Sequence, residues 1–159
     1  MSELKPGDLA PDFTLPATGD RQITLSAHRG RRVVLYFYPK DNTPGCTTEG
    51  EAFRDHYAAF QALSCDIFGL SRDSLKAHQN FCEKYQFPFT LLSDSDAVVC
   101  HLYDVLKEKK LYGRTSIGIE RSTFLIDSDG TILRIWRQVK VAGHVEEVLA
   151  AVEQLTAIA

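Results

Sequence analysis

The stretch Val33-Val34-Leu35-Tyr36-Phe37-Tyr38-Pro39-Lys40-Asp41-Asn42-Thr43-Pro44-Gly45-Cys46 decides the fold. Its first six residues are all apolar and either β-branched, aromatic or leucine, the pattern of a central strand covered on both faces. Pro39 ends that strand, since proline has no N–H for the ladder. Pro44-Gly45 supplies a turn. Beyond it Phe53, Tyr57 and Phe60 recur at i, i+4 and i+7, with Ala52, Ala59 and Leu63 beside them, which predicts a helix starting near residue 46 with one buried face. Cys65 to Leu70 repeats the strand pattern less strongly and closes a β-α-β unit.

The same reading extends downstream. A second helix is expected from Ser74 to Tyr85, with Ser71 or Asp73 near its start and Pro88 soon after its end, followed by a strand from Thr90 to Ser93. Ser122 to Ile126 and Thr131 to Trp136 flank Asp127-Ser128-Asp129-Gly130, whose Asp-Gly is a strong hairpin signal. Val145, Val148, Leu149, Val152 and Leu155 keep helical spacing and predict a closing amphipathic helix. The sum is β-α-β-α, a hairpin, then α, with no repeat or linker to divide it. The 159 residues, 44% of them hydrophobic, are expected to form one domain, 1–159. A chain of this length buries about 68–70% of its unfolded surface, so its fold does not depend on disulfides or structural metal.

Charge and composition narrow the function. Eighteen basic against 21 acidic residues give a formal charge of -3, which offers no polybasic footprint for nucleic acid or an anionic membrane. Met1 to Phe13 is interrupted by charges and prolines and lacks a signal-peptide apolar region. The longest apolar run, Val33 to Tyr38, is far short of the ~20 residues a spanning helix needs. A cytoplasmic protein is therefore expected. Its four cysteines, Cys46, Cys65, Cys82 and Cys100, include no C-x-x-C pair and would stay reduced in the cytosol unless chemistry demands otherwise. The five histidines show no metal-ligand spacing, so no metal site is expected. His144 reads as a structural or capping residue and Trp136 as packing.

Cys46 falls in the first turn of the predicted helix, where backbone N–H groups lack acceptors and the macrodipole is positive. Both favour a thiolate over a thiol. The terminus alone contributes at most about 2 kcal/mol and a hydrogen bond to an anion about 1.5–3 kcal/mol, so a cationic partner is expected as well.

Pro39 to Cys46 reads P-x-x-x-T-x-x-C, and here the chain resembles the peroxiredoxins. Phe37-Tyr38-Pro39, Thr43-Pro44-Gly45-Cys46-Thr47, Glu49 and the distant Arg121-Ser122-Thr123-Phe124-Leu125-Ile126-Asp127 are similar to the Q-type branch, also called bacterioferritin comigratory protein. The similarity runs from Gly7 to Leu15, through Leu92-Ser93-Asp94, to Val139-Lys140-Val141-Ala142-Gly143-His144 and the closing helix. It implies an α/β, thioredoxin-like fold with a central mixed sheet flanked by helices and an N-terminal extension. It also implies a thiol peroxidase acting on hydrogen peroxide and organic hydroperoxides without a bound cofactor, recycled by thioredoxin, and a monomer.

Carried over by residue, the resemblance makes Cys46 the peroxidatic cysteine, attacking a hydroperoxide to become a sulfenic acid. Thr43 would hold the peroxide, Arg121 would donate to substrate and thiolate, Pro39 would shape the pocket, and Glu49 would orient Arg121 by an ion pair. Many Q-type members carry a resolving cysteine five residues after the peroxidatic one, but Glu51 stands there. Others place it on the following helix, and Cys82 matches that arrangement, implying a transient Cys46–Cys82 disulfide and an unwinding of the first helical turn. Cys82 also suits a packed cysteine, which would leave a one-cysteine peroxidase. Cys65 and Cys100 read as core residues. Two further alternatives are a thioredoxin-like disulfide reductase, which normally needs two close cysteines, and a non-catalytic holdase or interaction domain. Neither alternative explains Pro39, Thr43 and Arg121 accompanying Cys46.

Overall fold

Because successive strand residues point to opposite faces, a run with no polar positions must be covered twice. The computed structural model, which describes residues 4–158, shows this for Val33 to Tyr38. Val34, Tyr36 and Tyr38 pack into one core, and Val33, Leu35 and Phe37 into the other. The main sheet contains β1 (Thr14–Ala17), β2 (Arg21–Thr24), β3 (Arg32–Phe37), β4 (Cys65–Ser71), β5 (Thr90–Ser93), β8 (Ser122–Ile126) and β9 (Ile132–Trp136). A separate pair, β6 (Leu106–Leu111) and β7 (Arg114–Ile119), forms a two-stranded sheet. The order in the main sheet is β2-β1-β5-β4-β3-β8-β9. The pairings β3–β4 and β4–β5 are parallel, while β8 joins β3 and β9 joins β8 antiparallel. The sheet is therefore mixed.

Helices α1 (Pro44–Asp55), α2 (Tyr57–Ala62), α3 (Leu75–Tyr85) and α5 (His144–Ile158) contribute Phe53, Phe60, Phe81 and Val148 to the Tyr36 core. The opposite face is covered by α4 (Val98–Leu102), the chain around Phe13 and the inner ends of β6–β7, through Val99, Tyr103 and Ile119. The expected N-terminal extension is the β1–β2 hairpin, added to the sheet beside β5.

Several details depart from the sequence reading. The single helix expected after Cys46 is two, because His56 (φ -101°, ψ 4°) leaves the helical region and its N–H bonds to Ala52 and Arg54 carbonyls. The apolar periodicity survives across the break, since Phe60 N–H still reaches His56 O at 3.2 Å. Helix α3 is capped by Ser74, whose hydroxyl accepts from Ala77 N–H, rather than by Ser71 or Asp73. The hairpins β1–β2 and β6–β7 and the short α4 lie outside the expected sum. Strand β6 and the turn at Tyr112 and Gly113, both with positive φ, make a two-residue hairpin without the usual Asn-Gly or Asp-Gly signature.

Candidate active site

Register builds the site. Phe37 pairs with Ser122 across the antiparallel β3–β8 ladder, so Arg121, one residue before Ser122, lies at the carboxyl end of β3 where the chain turns into α1. Its own backbone is tied down there by Val139 N–H on Arg121 O at 3.0 Å. The 75 positions of sequence that separate Arg121 from Cys46 are bridged in this way. Pro44 occupies the first helical position, where its missing N–H costs nothing, and Cys46 lies in the first turn, 2% exposed.

Arg121 joins two groups of α1. Its Nη1 donates to Glu49 Oε1 at 2.6 Å and its Nη2 to Cys46 Sγ at 3.4 Å. A permanent cation thus sits beside the sulfur. Burial opposes charge on Arg121, but Glu49 and Cys46 outweigh it and hold the guanidinium above its ordinary value. Gly45 leaves it room: a Cβ there would stand 3.2 Å from Arg121 Nη2. The sequence reading used Gly45 only as a turn residue.

Thr43 and Pro39 flank this trio on the loop before α1. Thr43, extended at φ -97° and ψ 156°, occupies the N-cap position, but its hydroxyl donates to Lys40 O at 2.8 Å instead of capping the helix. Its lone pairs stay available to a ligand O–H. Pro39 is half-buried.

Glu49 is fully buried, and its Oε2 has no hydrogen-bond partner among the described residues. Burial pushes its carboxyl up to about 7 despite the counter-pull of Arg121. Because the folded value lies above the unfolded 4.5, the folded state binds the proton more tightly between those limits. The Glu49 contribution is fully present below about pH 4.5 and is lost as pH rises through about 7. Denaturant unfolding of the reduced protein from pH 4.5 to 8 should therefore show this loss, on the order of 3 kcal/mol. Glu49→Gln should remove that part of the slope. Equal slopes in wild type and variant would contradict the assignment.

Cys82 lies on α3, half-buried against the Tyr36 core, and all four cysteines are free thiols. Burial pushes the Cys82 thiol up to about 11, with Thr18 drawing it down and Asp41 adding to the rise. Cys65 and Cys100 are fully buried. Burial raises Cys65 to about 12 and Cys100 further still. His144 opens α5 as a buried residue, bonded through Nε2 to Thr123 Oγ1 at 2.8 Å, and burial lowers it to about 4. Trp136 packs edge-on against it.

The AhpC/TSA family model matches residues 6–135. The chain belongs to that family. Peroxiredoxin Bcp of Xanthomonas campestris is 51% identical over 142 residues, covering 89% of each chain, and that of Bacillus subtilis is 45% identical over 150 residues, covering 94% and 96%. A solved Xanthomonas campestris bacterioferritin comigratory protein, described for its alkyl peroxide reduction activity, superposes with a TM-score of 0.87 at 49% identity over 91% and 92% of the two chains. A Xylella fastidiosa PrxQ variant reaches 0.92 at 46% identity over 97% and 98%. This peroxiredoxin is thus of the Bcp, or Q, type, with a thioredoxin-like fold, and is a thiol-dependent peroxidase. Among the described residues no helix is long and apolar enough to cross a membrane.

Proposed function

We propose that Cys46 is the peroxidatic cysteine for hydrogen peroxide and organic hydroperoxides, and that Cys82 resolves it. The carrying observation is Arg121 donating to both Cys46 Sγ and Glu49. The Cys46 thiolate attacks the terminal oxygen, an S–O bond forms as the O–O bond breaks, that oxygen keeps its hydrogen to give Cys46 sulfenic acid, and the departing alkoxide or hydroxide takes a proton from solvent to leave as alcohol or water. As negative charge moves from sulfur to the leaving oxygen, the Arg121 guanidinium follows it without reorganising. Glu49 fixes that guanidinium, Thr43 accepts the hydroperoxide O–H, and Pro39 limits water at the pocket.

Cys82 then attacks the sulfenic sulfur, forming the Cys46–Cys82 disulfide and releasing water. The reductant is a dithiol protein of the thioredoxin kind, acting by exchange, with no bound cofactor. Supporting the cysteine pair, two solved Xanthomonas PrxQ variants each replace one of two cysteines 36 positions apart, the separation of Cys46 and Cys82. The reading includes a cytoplasmic location, as the sequence composition suggests, and a monomer, as the resemblance to the Q-type branch implies. Peptide mass spectrometry after one equivalent of peroxide tests it: a Cys46–Cys82 linked peptide is expected, and a link from Cys46 to Cys65 or Cys100 would overturn the resolving role. Arg121→Ala should slow the peroxide step by about ten- to a hundredfold, since each ~1.4 kcal/mol of lost transition-state stabilisation is tenfold. A peroxide rate unchanged in stopped-flow would remove Arg121 from the site.

A further inference from the structure

Beneath the Cys46 loop lies a buried polar cluster that the peroxide chemistry does not use. His78 of α3 is 0% exposed and Asp41 of the β3–α1 loop 8%. His78 Nδ1 lies 2.6 Å from Asp41 Oδ2, and Nε2 lies 2.8 Å from the Leu92 carbonyl oxygen of β5. Tyr38 O–H donates to Asp41 Oδ1 at 2.6 Å. The Leu92 carbonyl can only accept, so Nε2 must carry a proton. A second proton must lie between Nδ1 and Asp41, because two bare acceptors would repel at 2.6 Å, and Asp41, whose Oδ1 already accepts from Tyr38 O–H, is placed to accept at Oδ2 as well.

The cluster ties the loop before Cys46 to the helix that carries Cys82. Asp41 N–H also donates to Asp73 Oδ2 at 2.9 Å, and the neighbouring Asn42, at φ 60°, accepts at Oδ1 from Tyr85 O–H at 3.1 Å and Lys84 Nζ at 3.4 Å. His78, Lys84 and Tyr85 all belong to the helix that carries Cys82, and Asp41 and Asn42 to the loop that leads into Cys46. Asp41, Asp73 and His78 are near enough to share a metal ion, with ligand atoms within 4.8 Å of one another. The bonds just described already occupy those atoms, so the cluster reads as a self-satisfied network.

We propose that His78 is a buried imidazolium whose pairing with Asp41 latches the Cys46 loop to the Cys82 helix, and that release of this latch sets the rate at which the two cysteines can join. His78 and Asp41 are positioning residues: neither touches the reacting sulfur. The latch rests on Cys82 being the resolving thiol only for its effect on rate; its existence does not depend on that reading.

Three measurements separate these. In the reduced wild-type protein labelled with nitrogen-15, both His78 ring nitrogens should show the protonated signature, and a single unprotonated ring nitrogen would overturn the imidazolium. In Asp41→Asn, hydrogen exchange of the Thr47 to Gly50 amides should accelerate by about ten- to a hundredfold, as for the loss of one charge-assisted hydrogen bond, while β3 amides keep wild-type protection. Exchange rising equally in β3, or not at all in α1, would overturn the latch. Rapid mixing of the same variant should show disulfide formation faster and sulfinic acid yield lower by similar factors, with the bimolecular peroxide rate unchanged. A wild-type rate of disulfide formation would overturn its control of resolution, whereas a disulfide to another cysteine would sink the Cys82 reading and leave the exchange result standing. Should Asp41→Asn fail to fold, the ring-nitrogen measurement on the wild type still decides the imidazolium.

Discussion

Cys46→Ser is expected to abolish hydroperoxide turnover while leaving the fold intact. The oxygen is smaller than sulfur and sits where Cys46 is 2% exposed, so packing changes by less than a methyl group and stability should stay within about 1 kcal/mol of wild type. Reactivity changes far more. A serine hydroxyl is a far weaker nucleophile than the thiolate it replaces and must lose its proton before it can attack an O–O bond. Arg121 can only donate, and it already holds Glu49 Oε1 at 2.6 Å. The positive end of α1 and the guanidinium would still bind a peroxide, but nothing remains to attack its O–O bond. Peroxide consumption with dithiothreitol, measured beside thermal unfolding, checks both halves: turnover retained by a folded Cys46→Ser protein would refute Cys46 as the nucleophile. The same assay answers the holdase alternative, because a non-catalytic domain would consume no peroxide even with Cys46 present.

What could be read from the sequence follows from how locally each feature is encoded. Strand β3 was legible because both of its faces are buried, so that the apolar run Val33 to Tyr38 fills it after Arg32, while β4 repeated that run, α3 was marked by its start and stop residues, and α5 by helical periodicity. The β6–β7 hairpin was not. Apart from Leu106 and Ile119, which pack against the core, its residues Lys107 to Lys110 and Arg114 to Ile117 face solvent largely on both sides, so no alternation marks it. The break at His56 also lacks any glycine or proline to announce it. In the site, Pro39, Thr43, Cys46 and Glu49 stand within eleven residues and could be read as a motif. Arg121 required either a family pattern or the Phe37–Ser122 register, which no local rule supplies. His78 was visible only as a neighbour of Cys82 on its helix. Its partners Asp41 and Leu92 come from two other segments, and a histidine with two acceptors has no sequence signature.

Cys82→Ser should give one stoichiometric burst with peroxide, then lose thioredoxin-supported turnover largely or wholly and accumulate sulfinic acid at Cys46 as peroxide rises. In the proposed mechanism the burst survives because the first step uses Cys46, Arg121 and Glu49, which are joined to one another without α3. Resolution is different, since it needs a thiolate at Cys82 and contact between two sulfurs. A thiol raised to about 11 is ionised in only about one part in ten thousand at pH 7, so Cys82 in its packed position is a poor nucleophile. A disulfide also requires Cα atoms within about 7 Å, and the first turn of α1 must open for Cys46 to leave Arg121. Opening one turn gives up a few hydrogen bonds of about 1 kcal/mol each, well below a global stability of ~5–15 kcal/mol, so it can occur without unfolding the protein. Resolution therefore needs both the opening of that turn and the release of Cys82 from its packing on α3. Without Cys82 the sulfenic acid waits, and a second peroxide competes for it. Peptide mass spectrometry across a peroxide series reads the sulfinic fraction directly. Normal thioredoxin-supported turnover in Cys82→Ser would show that an external thiol resolves Cys46, and would make the protein a one-cysteine peroxidase.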